Sequence, residues 1–144
     1  MEEGLSIPGK ERERFRSMGE AQVGRLLNKV GVTYLYEHPV AVMDDGKVRI
    51  WYPDFQLPGY GILVEYCGVK DNAGYDAGMR KKQAVYESNG LTAVMLTPDD
   101  LRGNWPGKVL GRIEGILQER VGKFREKRES AYGKRRSLYT TGSR

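Results

Sequence analysis

The feature that most constrains this chain is a pair of strand-like runs, 48–55 and 61–67, joined through Pro58-Gly59 and each carrying one acid, Asp54 and Glu65. Both runs are crowded with β-branched and aromatic residues, and Pro58-Gly59 suits the two central positions of a type II turn, so the segment reads as an antiparallel hairpin. If Leu57 pairs with Tyr60, counting outward sets Asp54 opposite Leu63 and makes Glu65 its diagonal neighbour on the same face. Diagonal partners lie about 7–8 Å apart at the backbone, close enough for two acidic side chains to share one cation. Without a cation, a partly buried pair must raise a pKa or attract positive charge, and hard oxygen donors favour Mg²⁺, with Mn²⁺ as substitute. The alternative is an Asp and a Glu on an edge strand, facing water.

The 144 residues suffice for one domain with a core plus a tail. Apolar runs such as 61–64 and 92–96 are far too short to span a bilayer, and the first residues lack the basic start and apolar block of a secretory leader. A single cysteine, Cys67, excludes an internal disulfide and a multi-cysteine zinc site, so a reducing, cytoplasmic setting is expected. Charge is unevenly spread. Residues 1–101 hold 12 Lys and Arg against 15 Asp and Glu, a balance of −3, whereas residues 102–144 hold 12 against 4, a balance of +8. That asymmetry points to a polyanion, because lysines and arginines near phosphates release condensed counterions; a solubilising tail is the other reading.

In chain order, 1–16 reads as an approach segment, with Pro8-Gly9 as a turn and the alternating charges of 10–14 as a solvated helical turn. A helix follows from Ser17, which with Glu20 forms a capping box; Val23, Leu26, Leu27 and Val30 make its buried stripe, and Gly31 ends it. Glu20 lies beside that stripe and serves either the cap or whatever the helix covers. Residues 33–42 and 47–55 are expected as strands around an Asp44-Asp45-Gly46 turn, completing a three-stranded meander with 61–67. The lone His38 reads as structural or surface. A helix over 72–88 carries Tyr75, Met79, Lys82 and Tyr86 on one stripe, so Lys82 faces the core, either snorkelling to water or pointing at the acids beneath. Residues 92–96 form a strand expected to pair in parallel through a right-handed crossover. A helical turn follows at Thr97-Pro98-Asp99-Asp100, then a long helix from Pro106 whose Gly107, Gly111 and Gly115 permit close packing. Its apolar stripe fades after Phe124 into a basic tail with Tyr132 and Tyr139 interspersed, expected to be flexible unless bound. The domain is thus placed at 17–124 and the tail at 125–144.

This order is α/β: an αβββαβ core with a mixed four-stranded sheet flanked by helices, plus a C-terminal helix and basic tail. With Pro53-Asp54-Phe55 on one strand, Val64-Glu65-Tyr66-Cys67-Gly68 on the next and Glu20 on the preceding helix, it resembles the PD-(D/E)XK nuclease superfamily over residues 17–100. Pro-Asp-Phe, then Val-Glu-Tyr, then Tyr75, Lys82 and Tyr86 look more narrowly like the small modules related to very-short-patch repair and helicase-associated nucleases. The chain departs from the superfamily at Cys67, which stands where a lysine is usual. Some members supply that lysine from the following helix, and Lys82 is the candidate here, ahead of Lys70 and Lys81.

The resemblance implies a restriction-endonuclease-like core and a metal-dependent DNA endonuclease. Asp54, Glu65 and the Tyr66 carbonyl would hold Mg²⁺, Glu20 would hold a second ion or an ordered water, and Lys82 would offset charge on the phosphate. Lys123, Arg125, Lys127, Arg128, Lys134, Arg135 and Arg136 would track the DNA backbone, and no small-molecule cofactor is expected. A protein this small often cuts both strands as a two-fold dimer, which suits the four-way junction of a Holliday-junction resolvase; nicked, flapped and single-stranded DNA are the other substrates in view. The rivals are a non-catalytic DNA- or RNA-binding module and a ribosome-associated RNA-binding protein.

Overall fold

A computed structural model describes residues 14–140, and side chains as far as residue 132. Residues 10–13 of the expected turn over 10–14 and the side chains of Lys134, Arg135, Arg136 and Tyr139 lie outside the described residues.

Helix α1, Met18–Lys29, starts where Ser17 adopts extended backbone and its hydroxyl accepts from the Glu20 N–H. It ends at Val30, after which Gly31 takes φ 74°, a left-handed turn that glycine makes without steric cost. Val23, Leu26 and Leu27 are buried as the spacing predicts, but Val30 sits exposed at the cap. The helix lies close on the sheet, since a Cβ on Gly19 would run into the Tyr66 ring.

The expected meander breaks in two places. Residues 33–42 yield β1, Leu35–Tyr36, and β2, Val40–Asp44, because Glu37 takes φ 51° and Pro39 has no N–H to give a ladder. Residues 47–55 likewise divide at Pro53 into β3, Lys47–Trp51, and β4, Phe55–Leu57. β2 and β3 then pair only with each other, as a two-stranded hairpin closed by Asp45 and Gly46, both at positive φ as a type I′ turn requires. β1, β4, β5 (Ile62–Tyr66) and β6 (Thr92–Leu96) make a mixed four-stranded sheet in that order. The β5–β6 pairing is parallel, as the intervening helix demands.

That helix is α2, Ala73–Ser88, capped at its start by the Asn72 side chain and closed by Asn89 and Gly90. It covers the face of β5 that bears Leu63 and Glu65, and with the β2–β3 hairpin it encloses Val42, Leu63, Tyr86 and Ala93. Fully burying a side chain such as Leu63 stabilises the fold by about 1.5–3 kcal/mol. The opposite face presents Ile62 and Val64, with Phe55 opposite Val64 and the rings of Phe15, Tyr34 and Tyr36 packed on Phe55. The chain is therefore α/β, with a mixed four-stranded sheet and flanking helices.

A 3₁₀ turn at Pro98–Leu101 leads to α3, Trp105–Thr140. The chain divides into two compact units between Val109 and Leu110, the first holding both sheets. Residues 125–140 continue as helix; no proline follows Pro106, and the Lys, Arg and Glu that erase the apolar stripe are good helix formers. Close packing at the spaced glycines is also absent among the described residues: a Cβ on Gly111 or Gly115 would meet nothing within 4 Å, and one on Gly107 only Asn104. No described helix is long and apolar enough to cross a membrane.

Candidate active site

The β4–β5 connection decides the register of the two acids. Leu57 pairs with Ile62, Gln56 with Leu63 and Phe55 with Val64, so four residues, 58–61, form the loop. The Tyr60 N–H closes the turn on the Leu57 carbonyl at 3.0 Å, and the positive φ falls on Gly61, at 60°, not on Gly59 as a type II turn would need. Extending the ladder one step sets Asp54 directly opposite Glu65. The expected pairing of Asp54 with Leu63 is thus corrected by two residues, and the correction draws the acids closer together.

Asp54 and Glu65 are tied through each other's backbone. The Asp54 N–H donates to Glu65 Oε1 at 3.1 Å, and the Tyr66 N–H donates to Asp54 Oδ2 at 2.6 Å. Glu65 is 3% exposed, a burial that a carboxylate tolerates only with strong partners. Lys82 Nζ donates to Glu65 Oε2 at 2.6 Å, and the Tyr86 hydroxyl donates to Oε1 at 3.3 Å. Lys82 and Tyr86 stand one turn apart on the inward stripe of α2, so the helix delivers both to the same carboxylate. Lys70 instead pairs with Asp99 at 3.0 Å. Lys82 is therefore the lysine that reaches the acids.

Asp54 has no such counter-charge in contact. Burial pushes its carboxyl up to about 7, the Tyr66 N–H works against that rise, and the charges of Glu65 and Glu20 add to it. Burial first, then the charges of Glu65 and Asp54, push the Cys67 thiol up to about 11. Cys67 remains a neutral, buried thiol in the position where a lysine was looked for. Burial and Glu65 also raise Tyr86, which keeps its hydroxyl a donor.

Glu20 is 6% exposed and both its oxygens are engaged: the Ser17 hydroxyl donates to Oε2 at 2.6 Å and the Tyr36 hydroxyl to Oε1 at 2.7 Å. Tyr36 in turn accepts from the Arg16 N–H at 3.0 Å. The carboxylate thus serves the helix start and β1, while its charge is still felt at Asp54. Tyr36→Phe should cost about 1–3 kcal/mol in chemical denaturation, because a buried carboxylate loses a donor; an unchanged midpoint would mean that Glu20 is satisfied elsewhere.

The donor set suits a hard divalent cation: two facing carboxylates, one of them desolvated without a cationic partner in contact, and no sulfur or imidazole ligand. Asp54, Glu65 and the neighbouring Tyr66 backbone are the groups able to hold it. Among the described residues, no three His, Cys, Asp or Glu side chains already form a cage, in line with the commitment of Glu20 to Ser17 and Tyr36. His38 is exposed. On α3, Lys123 pairs with Glu119 at 3.3 Å, and residues 121–132 are exposed throughout, leaving Arg125, Lys127 and Arg128 on open surface. Two members of the site were given no role at the carboxylates by the sequence: Tyr86, read on the inward stripe of its helix and within the resemblance, and Tyr36, unremarked within the strand expected over 33–42. The signal available was a tyrosine placed where its hydroxyl would be buried and need a partner. No family model, curated protein or solved structure matches this chain.

Proposed function

We propose that this chain is a metal-dependent DNA endonuclease built on a core of the PD-(D/E)XK type. The observation that carries the reading is the facing of Asp54 and Glu65 across the β4–β5 ladder, with Lys82 from the next helix on Glu65. Mg²⁺, or Mn²⁺ in its place, would be held by Asp54, Glu65 and the Tyr66 carbonyl, where it would lower the pKa of a bound water and polarise the scissile phosphate. The reaction is hydrolysis: water oxygen bonds to phosphorus, one phosphodiester P–O bond breaks, and the displaced sugar oxygen leaves as an alcohol.

The protein's own groups prepare that step. Asp54 is desolvated, so its negative charge is costly until a cation arrives, which favours metal capture. Tyr86 and Lys82 fix the Glu65 carboxylate in one orientation, and the Lys82 ammonium offsets charge building on the phosphate. Glu20 is braced by Ser17 and Tyr36 and adds negative potential, or anchors an ordered water, beside Asp54. Lys123, Arg125, Lys127, Arg128, Lys134, Arg135 and Arg136 supply sequence-independent affinity for the DNA backbone. A two-fold dimer acting on a four-way junction fits this small a chain.

One observation favours a second reading, a DNA-binding module without catalysis: the Lys82 ammonium already neutralises one oxygen of Glu65 at 2.6 Å. Cleavage separates the two. Labelled four-way junction, flap, linear duplex and single-stranded DNA are incubated with the protein in Mg²⁺ and in EDTA. Incision in Mg²⁺ that EDTA abolishes is expected, and symmetric incision of the junction alone would make the protein a resolvase. Binding that survives EDTA with no incision of any substrate would support the second reading.

A further inference from the structure

Beside the carboxylates a cleft of about 350 Å³ opens between the end of β3 and α2, lined by Ile50, Trp51, Tyr52, Gly78, Lys81 and Lys82. Its two walls differ in chemistry. Ile50, Trp51 and Tyr52 form an apolar, largely aromatic wall, with Tyr52 60% exposed and Ile50 53% exposed. Lys81 and Lys82 stand on the other wall, Lys81 exposed and Lys82 with its amine on Glu65, and among the described residues no carboxylate lines the cleft. Gly78 leaves the helix side open, since a Cβ there would meet nothing within 4 Å.

The cleft is continuous with the acids by three routes. Lys82 lines it and bonds Glu65; Tyr52 stands two residues before Asp54; and Trp51 meets Tyr86 edge-on, with ring centroids 5.3 Å apart, while Tyr86 holds Glu65. An aromatic wall facing amines complements a ligand with a flat ring and a negative charge close together. A volume of about 350 Å³, at the small end of ligand pockets, is enough to admit a base. Bases in continuous duplex are stacked within the helix and cannot enter.

We propose that this cleft receives an unpaired nucleobase flanking the scissile phosphate, stacked against Tyr52 and Trp51 with Lys81 on the adjoining phosphate, so that the protein acts on displaced or single-stranded DNA. The inference rests on the nuclease reading and narrows its substrate, and its test reads binding alone. Asp54→Asn protein is titrated with a fluorescent single-stranded oligonucleotide and with its blunt duplex. Tyr52→Ala on that background removes the outer stacking surface and should weaken single-strand binding roughly tenfold, as losing one base–aromatic stack does, with no matching loss on duplex. Gly78→Leu plugs the cleft while replacing a poor helix former with a good one, and should reproduce the defect in a protein that folds at least as well.

Equal losses on both DNAs, or no loss in either variant, would overturn the proposal. If the wild type cuts duplex in Mg²⁺ while both variants bind single strands normally, only the cleft assignment fails. If the parent binds neither DNA, the cleft and the nuclease reading fail together.

Discussion

Asp54→Asn should abolish metal-dependent cutting, by more than about 100-fold, and at the same time make the metal-free protein more stable at pH 8. Altering groups behind a metal ligand already costs about 10–100-fold in affinity or activity, so loss of a ligand should cost more. The stability gain follows from the carboxyl's position at about 7, against 3.8 for an unperturbed aspartate. Between those values the folded chain holds a proton that the unfolded chain has released, so folding stability falls as pH rises through this window. The penalty is absent below about pH 4 and complete above about pH 7. Asparagine cannot ionise, and its side-chain carbonyl can still accept from the Tyr66 N–H, which donates to Asp54 Oδ2 at 2.6 Å. Melting curves of wild type and variant without metal should therefore coincide near pH 4 and separate in favour of the variant by pH 8. Adding Mg²⁺ should raise only the wild type, because a metal competes with the same proton. A variant that melts lower at pH 8 would make Asp54 a structural residue.

Most of the helical framework was legible because its signals are local. Ser17 with Glu20, Asn72 ahead of α2, and Gly31 and Gly90 beyond the helix ends each act within one turn of chain. The inward position of Lys82 followed from 3.6-residue periodicity alone, and of the two readings it left open, snorkelling to water or reaching the acids, the structure has the second. The sheet was less legible because pairing is non-local. The expected strands ran through Pro39 and Pro53, where the chain in fact breaks, and nothing near them in sequence tells that β2 and β3 leave the main sheet and pack under α2. The register of the acids turned on whether Gly59 or Gly61 carries the positive φ, and either glycine is sterically able to. A four-residue loop in place of a two-residue one moved Glu65 from a diagonal to a facing position. Glu20 shows a further limit: a capping box and an active-site carboxylate need the same residue type at the same place. Only the hydroxyl of Tyr36, 16 residues on, reveals how its second oxygen is used.

Unlike Asp54→Asn, which should raise stability while abolishing cutting, Lys82→Ala should lower both stability and catalysis. The Glu65 side chain is 4% exposed and that of Lys82 25%, so removing the ammonium strands a buried carboxylate whose remaining donors are the Tyr86 hydroxyl and the Asp54 N–H. Breaking a buried pair from one side costs 3–5 kcal/mol, and the partial exposure of Lys82 places this case near about 3 kcal/mol. Lys82→Met keeps most of the packed stem and should lose nearly as much, which assigns the cost to charge and not to volume. Since Glu65 would then lack a cationic partner, Mg²⁺ should recover more stability in either variant than in the wild type, through mass action on the folded state. Turnover should fall by about 10²–10³-fold, the usual cost of removing one preorganised donor from developing charge. On the proposed function DNA affinity should change little, because the exposed basic residues of α3 would carry most of the phosphate contacts. Denaturation midpoints with and without Mg²⁺, set beside single-turnover cleavage and equilibrium binding, measure all four effects. Full activity in both variants would exclude Lys82 from the chemistry, and an unchanged midpoint would mean that the 2.6 Å contact with Glu65 contributes nothing to the fold.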